Sequence, residues 1–247
     1  MMYHMRATLA TTGRIMRQLS HDPRTLVLIF IVPCILLSLL RWLFSDTIAV
    51  FNHVGPAFLG LFPFIIMFLI TSITTLRERI SGTLERLMTM PIGKLDLVMG
   101  YMITFGIVAI LQALLASTLL LYVLNLSIAG PDWFMVMMAV ADALLGTALG
   151  LLVSAFAQTE FQAVQFMPAF IFPQLLVGGL LVPLASMPDL LEKIAYCLPL
   201  TYALDALNSI AKNTILTSDA WRDFWVVIGC MVVAVLLGGL TLRRKSR

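Results

Sequence analysis

Charge is scarce in this chain. Only 12% of its 247 residues are Asp, Glu, Lys or Arg, 60% are hydrophobic, and the mean hydropathy is +0.99. A water-soluble globule of this length needs more polar surface, so the composition excludes one and makes lipid the main solvent. Cysteine and histidine are scarce as well. Cys34, Cys197 and Cys230 are too few and too scattered for a C-x-x-C metal or redox site. His4, His21 and His53 fall outside every apolar run and form no H-E-x-x-H, so no metal site is expected. Neither a G-x-x-x-x-G-K-[ST] phosphate loop nor a G-x-S-x-G elbow occurs. The chain by itself is therefore expected neither to bind ATP nor to act as a serine hydrolase.

What is present is a series of long apolar runs. A span needs roughly 20 apolar residues to cross ~30 Å of hydrocarbon. Six stretches qualify: residues 25–44, 54–76, 101–124, 133–156, 163–182 and 225–242. The expected fold is an all-α polytopic membrane protein with six transmembrane helices. The first run is too long for a signal peptide, contains Pro33 and Arg41, and is followed by no small-x-small cleavage site.

The net charge of +3 points less to nucleic acid than to topology, because the basic residues cluster. With the N-terminus inside, twelve of the sixteen fall in cytosolic segments: Arg6, Arg14, Arg17 and Arg24; Arg77, Arg79, Arg86 and Lys94; Arg243, Arg244, Lys245 and Arg247. Only Arg41, Lys193, Lys212 and Arg222 remain outside, and Arg41 beside Trp42 can snorkel to an interface. Both termini are expected in the cytosol. Within residues 1–24, Met5, Leu9, Thr12, Met16 and Leu19 share one helical stripe, with Arg6, Arg14 and Arg17 as polar component. This reads either as an interfacial helix on the inner leaflet or as a basic anchor that sets orientation.

Inside the spans Asp142 stands out, since a charge there costs several kcal/mol unless satisfied. Asp142, Gly146, Gly150 and Ser154 recur every four residues on a small-residue stripe, which turns the carboxylate toward protein or water. It can line a translocation path, carry a proton, or bond a neighbouring helix. Gln112, Gln165 and Gln174 are further path candidates, and Pro168 and Pro173 are expected to break or kink the fifth span. Residues 183–224 form a long, apolar outer connection that is expected to pack on or in the membrane. Within it Ser186 and Asp189 have helix-start spacing, Leu190, Leu191, Ile194, Ala195 and Leu198 follow on one face, and Pro199 stops the helix.

The densest charge cluster lies in the cytosolic segment 77–96. Leu84, Leu87 and Met88 make an apolar face one turn long, Glu78, Arg79, Glu85 and Arg86 surround it, and Pro91 and Gly93 end it. Such a short amphipathic helix suits a groove on a soluble partner. An ordinary hairpin obeying the positive-inside bias accounts for Arg77 and Arg79, but poorly for Glu78, Glu85 and the Gly82-Thr83-Leu84 run.

Two motifs resemble a known family. The run Arg79-Ile80-Ser81-Gly82-Thr83-Leu84-Glu85-Arg86-Leu87 with Pro91-Ile92 is similar to the R-x-x-G-T-x-E-x-L-x-x-x-P loop of type-2 ATP-binding-cassette exporter permeases, notably the drug- and lipid-exporting branch related to daunorubicin-resistance permeases. Gly178 to Leu184, Met187-Pro188 and Leu198 to Ala206 resemble that family's signature between spans five and six. The resemblance implies a non-catalytic half-transporter in a bacterial cell membrane, paired with a second permease subunit, homologous or identical. It implies a separate ATPase subunit that binds ATP and Mg. It makes Glu78, Arg79, Gly82, Thr83, Leu84, Glu85, Arg86, Leu87 and Pro91 the coupling residues. It also implies a re-entrant helical pair lidding the outer end, with Pro183, Pro188, Pro199, Tyr202 and Asp205 as gate candidates. A hydrophobic or amphiphilic cargo, drug or lipid, follows from the branch. Two other classes compete: a proton-coupled secondary transporter using Asp142, for which no internal repeat is found, and an intramembrane aspartyl enzyme, whose second carboxylate, Glu160, lies far from Asp142 along the chain.

Overall fold

A computed structural model of the chain describes residues 2–81, 93–182 and 184–241. In chain order its helices are α1 (Met2–Ser20), α2 (Pro23–Leu43), α3 (Ile48–Ile80), α4 (Lys94–Thr118), α5 (Asp132–Val153), α6 (Glu160–Val177), α7 (Asp189–Ala195), α8 (Pro199–Lys212) and α9 (Ser218–Thr241). No strand occurs among the described residues. Lipid offers backbone groups no partners, and helices satisfy theirs internally. Five helices are long and apolar enough to cross a membrane: α2, α3, α4 with its extension, α5 and α9. The chain is thus a multi-pass membrane protein. The stretch expected as fifth span is realised as α6, 18 residues or about 27 Å, less apolar because of Gln162, Gln165, Gln174, Pro168 and Pro173.

The helices form one bundle around α5, which is flanked by α3, α4, α8 and α9. Nearly every residue from Phe134 to Leu151 is buried. The small-residue stripe does what its spacing predicts. A Cβ at Gly146 would lie 2.5 Å from the Phe64 carbonyl oxygen, and one at Gly150 would lie 2.5 Å from that of Phe68. Backbone thus rests on backbone, as small residues allow in membranes. The Phe64, Phe68 and Phe170 rings stack in series beside this seam and carry α6. By contrast α2 is peripheral: Ile29, Pro33, Leu37 and Leu40 face the bundle, while Val27, Leu28, Ile31, Ile35, Leu39 and Leu43 are exposed to lipid. At the end opposite α1, Trp133, Phe134, Trp221, Phe224 and Trp225 form an aromatic cluster spanning the first turns of α5 and α9. Half-exposed Trp133 and Trp225 suit a membrane interface.

Several boundaries differ from the sequence-based expectation. Arg77, Glu78 and Arg79 are not in a loop but extend α3, and Lys94 and Asp96 already belong to α4. Arg77, Glu78 and Asp96 find partners on neighbouring helices, so charge does not end the helices there. Gly179, at φ +85°, lies just beyond α6, which ends at Val177 instead of 182. The outer connection is shifted from 183–224 to 178–217, because α6 ends at Val177 and Ser218 to Phe224 lie in α9. Ser186 does not cap α7; Pro188 occupies the cap position without a side-chain bond, and Leu190, Leu191 and Ile194 are exposed. Pro199 does not stop α7, which already ends at Ala195, but opens α8 in the first helical turn. Neither Pro168 nor Pro173 ends α6. On α1 the buried face is Thr11, Ile15 and Leu19, packed on α4, while Met5 and Leu9 of the expected stripe are exposed.

Gly146→Val or Gly150→Val should force α3 and α5 apart and lower stability by about 1–3 kcal/mol, as overpacking does. Gly229→Ala on α9, where an added methyl meets nothing within 4 Å, should leave it unchanged. Melting curves of the detergent-solubilised variants measure both.

Candidate functional site

Charged side chains that the bundle cannot leave in lipid gather at the end where α1 lies. Arg14 of α1 donates through both terminal nitrogens to Glu78 of α3, at 3.2 and 2.9 Å. The Tyr101 hydroxyl of α4 donates to the same Glu78 oxygen that takes the shorter bond. Glu78 is only 5% exposed, so three helices share one sequestered carboxylate. Burial works against the Arg14 charge, yet the hydrogen bond and charge of Glu78 outweigh it and raise the Arg14 pKa. Next to this cluster Arg77 grips Glu160 at the start of α6 with two bonds, 2.8 and 2.9 Å. His4 contacts Asp96 at 2.6 Å, and Asp96 also accepts from the Gly93 amide at the head of α4. Close packing of α1 on α4 is possible because Gly100 has no Cβ: one there would lie 2.6 Å from the Thr11 methyl.

These contacts bracket residues 82–92. Gly82, Thr83, Leu84, Glu85, Arg86, Leu87 and Pro91, the expected coupling residues, lie outside the described residues, as does Pro183. Glu78 and Arg79 are described. Arg79 is half-buried beside Thr75, Leu97 and Tyr101, and its Nε has no partner among the described residues.

The four path candidates do not converge. Gln112 is buried and donates to the Ile29 carbonyl, tying α4 to α2 at 2.8 Å. Gln174 accepts from the Leu200 amide at 3.2 Å and so fixes α8 against α6. Gln165 is exposed. Asp142 is fully buried, and neither carboxylate oxygen has a hydrogen-bond partner among the described residues. It faces α3, where a Cβ on Gly60 would lie 3.0 Å from Oδ2 and 2.6 Å from Leu207 of α8. Asp142 is ten residues into α5, or about 15 Å, so α8 reaches well into the bundle.

At the opposite end α7 and α8 fold over the bundle. The Ala129 and Gly130 amides donate to the carbonyls of Ala211 and Ile210 at 3.1 and 3.0 Å. Among the gate candidates, Pro188 and Pro199 start α7 and α8, and the Tyr202 hydroxyl donates to the Tyr196 carbonyl at 2.8 Å. Asp205 lines a cavity of about 370 Å³ between α3, the segment after α6, α7 and α8. Withdrawal from water raises the Asp205 pKa, and also those of Tyr196 and Tyr202 nearby.

Sequence reasoning missed Arg14, Tyr101, His4 and Asp96 as site residues, and treated Arg77 and Glu160 only as topology and distance markers. The only local signal was the charge of Arg14, which orientation explained equally well.

Arg14→Met and Glu78→Gln should each destabilise the protein toward the lower end of the roughly 3–5 kcal/mol typical of a broken buried pair, since Arg14 is partly exposed. The double variant should lose less than the two singles together. Asp142→Asn should stay within about 1 kcal/mol of the parent, because no donor depends on the carboxylate. Unfolding of the purified proteins in mixed micelles reads all four.

Similar proteins accord with this architecture. ABC transporter G family member 20 of Dictyostelium discoideum is 26% identical over 198 residues, which is 79% of this chain and 27% of that protein. The probable multidrug ABC transporter permease YbhR of Escherichia coli is 25% identical over 71% of this chain and 48% of its own length. The linearmycin resistance permease protein LnrN of Bacillus subtilis is 26% identical over 69% of this chain and 44% of its own. The chain thus spans between a quarter and a half of these relatives. The sequence profile of the ABC-2 type transporter family matches residues 6–211, from the first turns of α1 to the end of α8, and this chain belongs to that family.

Proposed function

We propose that the chain is the non-catalytic membrane subunit of an ATP-driven exporter, moving a hydrophobic or amphiphilic cargo out across a bacterial plasma membrane. The observation that carries this reading is the set of interhelical charge contacts bracketing residues 82–92 in an ABC-2 family chain. A separate ATPase subunit, holding ATP and Mg, docks on the 82–92 segment at the α1 end, which is the cytosolic one. Both termini lie on that side.

The contacts define what a push on that segment moves. Arg14, Glu78 and Tyr101 tie α1, α3 and α4 together, so the helices on either side of the segment are displaced as one body. The Arg77–Glu160 pair passes the displacement to α6. At its other end α6 leads through Gly178 and Gly179 into the wall of the outer cavity. Gln174 links that same end to α8. ATP-driven movement on one side is thereby delivered to the lid elements on the other. A second permease subunit, identical or related, completes the pathway against the lipid-exposed helix faces. No observation here favours proton coupling through Asp142, whose surroundings are a closed interhelical contact.

Affinity purification of the tagged chain in mild detergent should recover a soluble ATPase, identified by mass spectrometry and by ATP hydrolysis in the eluate. Charge reversal at Glu85 or Arg86 should leave the protein inserted but lose the partner or uncouple its activity. Normal export and normal ATPase stimulation in those variants would remove the docking assignment.

A further inference from the structure

Polar side chains from three helices line the outer cavity. Glu192 on α7 and Tyr196, which caps that helix, stand four residues apart, and Asp205, Asn208 and Lys212 recur at three and four on α8, so each set shares one face. The side chains of Glu192, Asp205, Asn208 and Lys212, with His53 of α3, make no hydrogen bond or ion pair among the described residues. Arg222, whose charge reaches Asp205, is already held by Asp219 and Asp223 at 3.1 and 3.0 Å. Two carboxylates therefore face one lysine, whose charge reaches Asp205 without an ion-pair contact.

Leu180 and Leu181 wall this cavity and also a second space, an apolar groove of about 400 Å³ between α3 and α6. The groove is otherwise lined by Phe58, Leu61, Phe172, Leu175 and Leu176. An acidic chamber and an apolar trough thus share one leucine pair.

We infer that chamber and groove form one site for a cationic amphiphile, its ammonium head between Glu192, Asp205 and the Tyr196 ring, its apolar chain past Leu180 and Leu181 into the groove. The carboxylates supply charge-assisted bonds and the ring a cation–π contact. The groove removes the chain from water at the membrane surface. The occupant is the exported cargo near its point of release, and in that respect the inference rests on the export reading above.

The test uses the full chain in phosphatidylcholine nanodiscs, without nucleotide or ATPase. The probe is dodecylammonium carrying a diazirine at the end of its chain, with crosslinks mapped by mass spectrometry. Labelling is expected at Phe172, Leu175 or Leu176, displaced by excess dodecylammonium and not by dodecyl sulfate. Glu192→Gln with Asp205→Asn should lower labelling roughly tenfold, as loss of a charge-assisted contact implies. Lys212→Met should raise it, a gain that a misfolded protein does not give. Equal displacement by dodecyl sulfate, undiminished labelling of the double variant, or crosslinks confined to other helices would overturn the site. Because no ATPase is present, such a failure leaves the export reading standing. Intact labelling with no ATPase recovered in the purification would instead count against export alone.

Discussion

The contact of α3 with α5 is the constraint on which the rest of the bundle depends. In lipid no hydrophobic force draws two apolar helices together, so packing must do so, and it is strongest where backbones touch. Gly146 and Gly150 bring α5 directly onto the carbonyls of Phe64 and Phe68. That approach turns Asp142 inward to Gly60, presents Phe68 to Phe170 of α6, and leaves the niche that Leu207 of α8 fills. Each of the other helices is positioned against this pair or against something the pair holds.

The two ends of the bundle are joined by different chemistry. At the α1 end, charged side chains link helices across the bundle, and one carboxylate serves three of them. At the other end, backbone hydrogen bonds, an aromatic cluster and short helices make the connection. Ion pairs with long side chains survive small rotations of the helices that carry them, whereas packed rings and backbone bonds have few alternatives. The α1 end of the bundle thus tolerates small helix rotations that the opposite end does not.

Much of this was legible in the sequence because it is periodic or contiguous. Apolar runs announced the long helices, and the four-residue recurrence from Asp142 to Ser154 announced the close seam. Helix ends were less legible. The limit of α3 was set too early because Arg77, Glu78 and Arg79 look like loop residues until Glu160 and Arg14 are seen beside them. The pairs themselves were hidden by separation: Arg14 and Glu78 are 64 positions apart, Arg77 and Glu160 are 83, and His4 and Asp96 are 92. The outer cavity, assembled from four elements, had no local signature beyond the spacing of polar residues on α7 and α8. The backbone bonds of Gln112 and Gln174 were not legible, because a lone amide in an apolar run carries no mark of what it meets.

The peripheral position of α2 has a consequence for how the protein is made. Among the described residues its side-chain and backbone bonds to another helix run to Gln112 and Leu124, each 83 positions later than its own partner, Ile29 or Arg41. At about 5–20 residues per second, ribosomes need roughly 4–17 seconds to reach those partners. Meanwhile α2 has α3 as its main neighbour, with Arg41 over the Phe51 ring, and the Ile29 carbonyl side of its surface awaits a partner. Its row of lipid-facing Val, Leu and Ile residues lets it do so. The first apolar helix can thus pack on α3 early and gains its hydrogen bonds to Gln112 and Leu124 only later, an interval that its hydrophobicity suits as well as it suits the finished bundle.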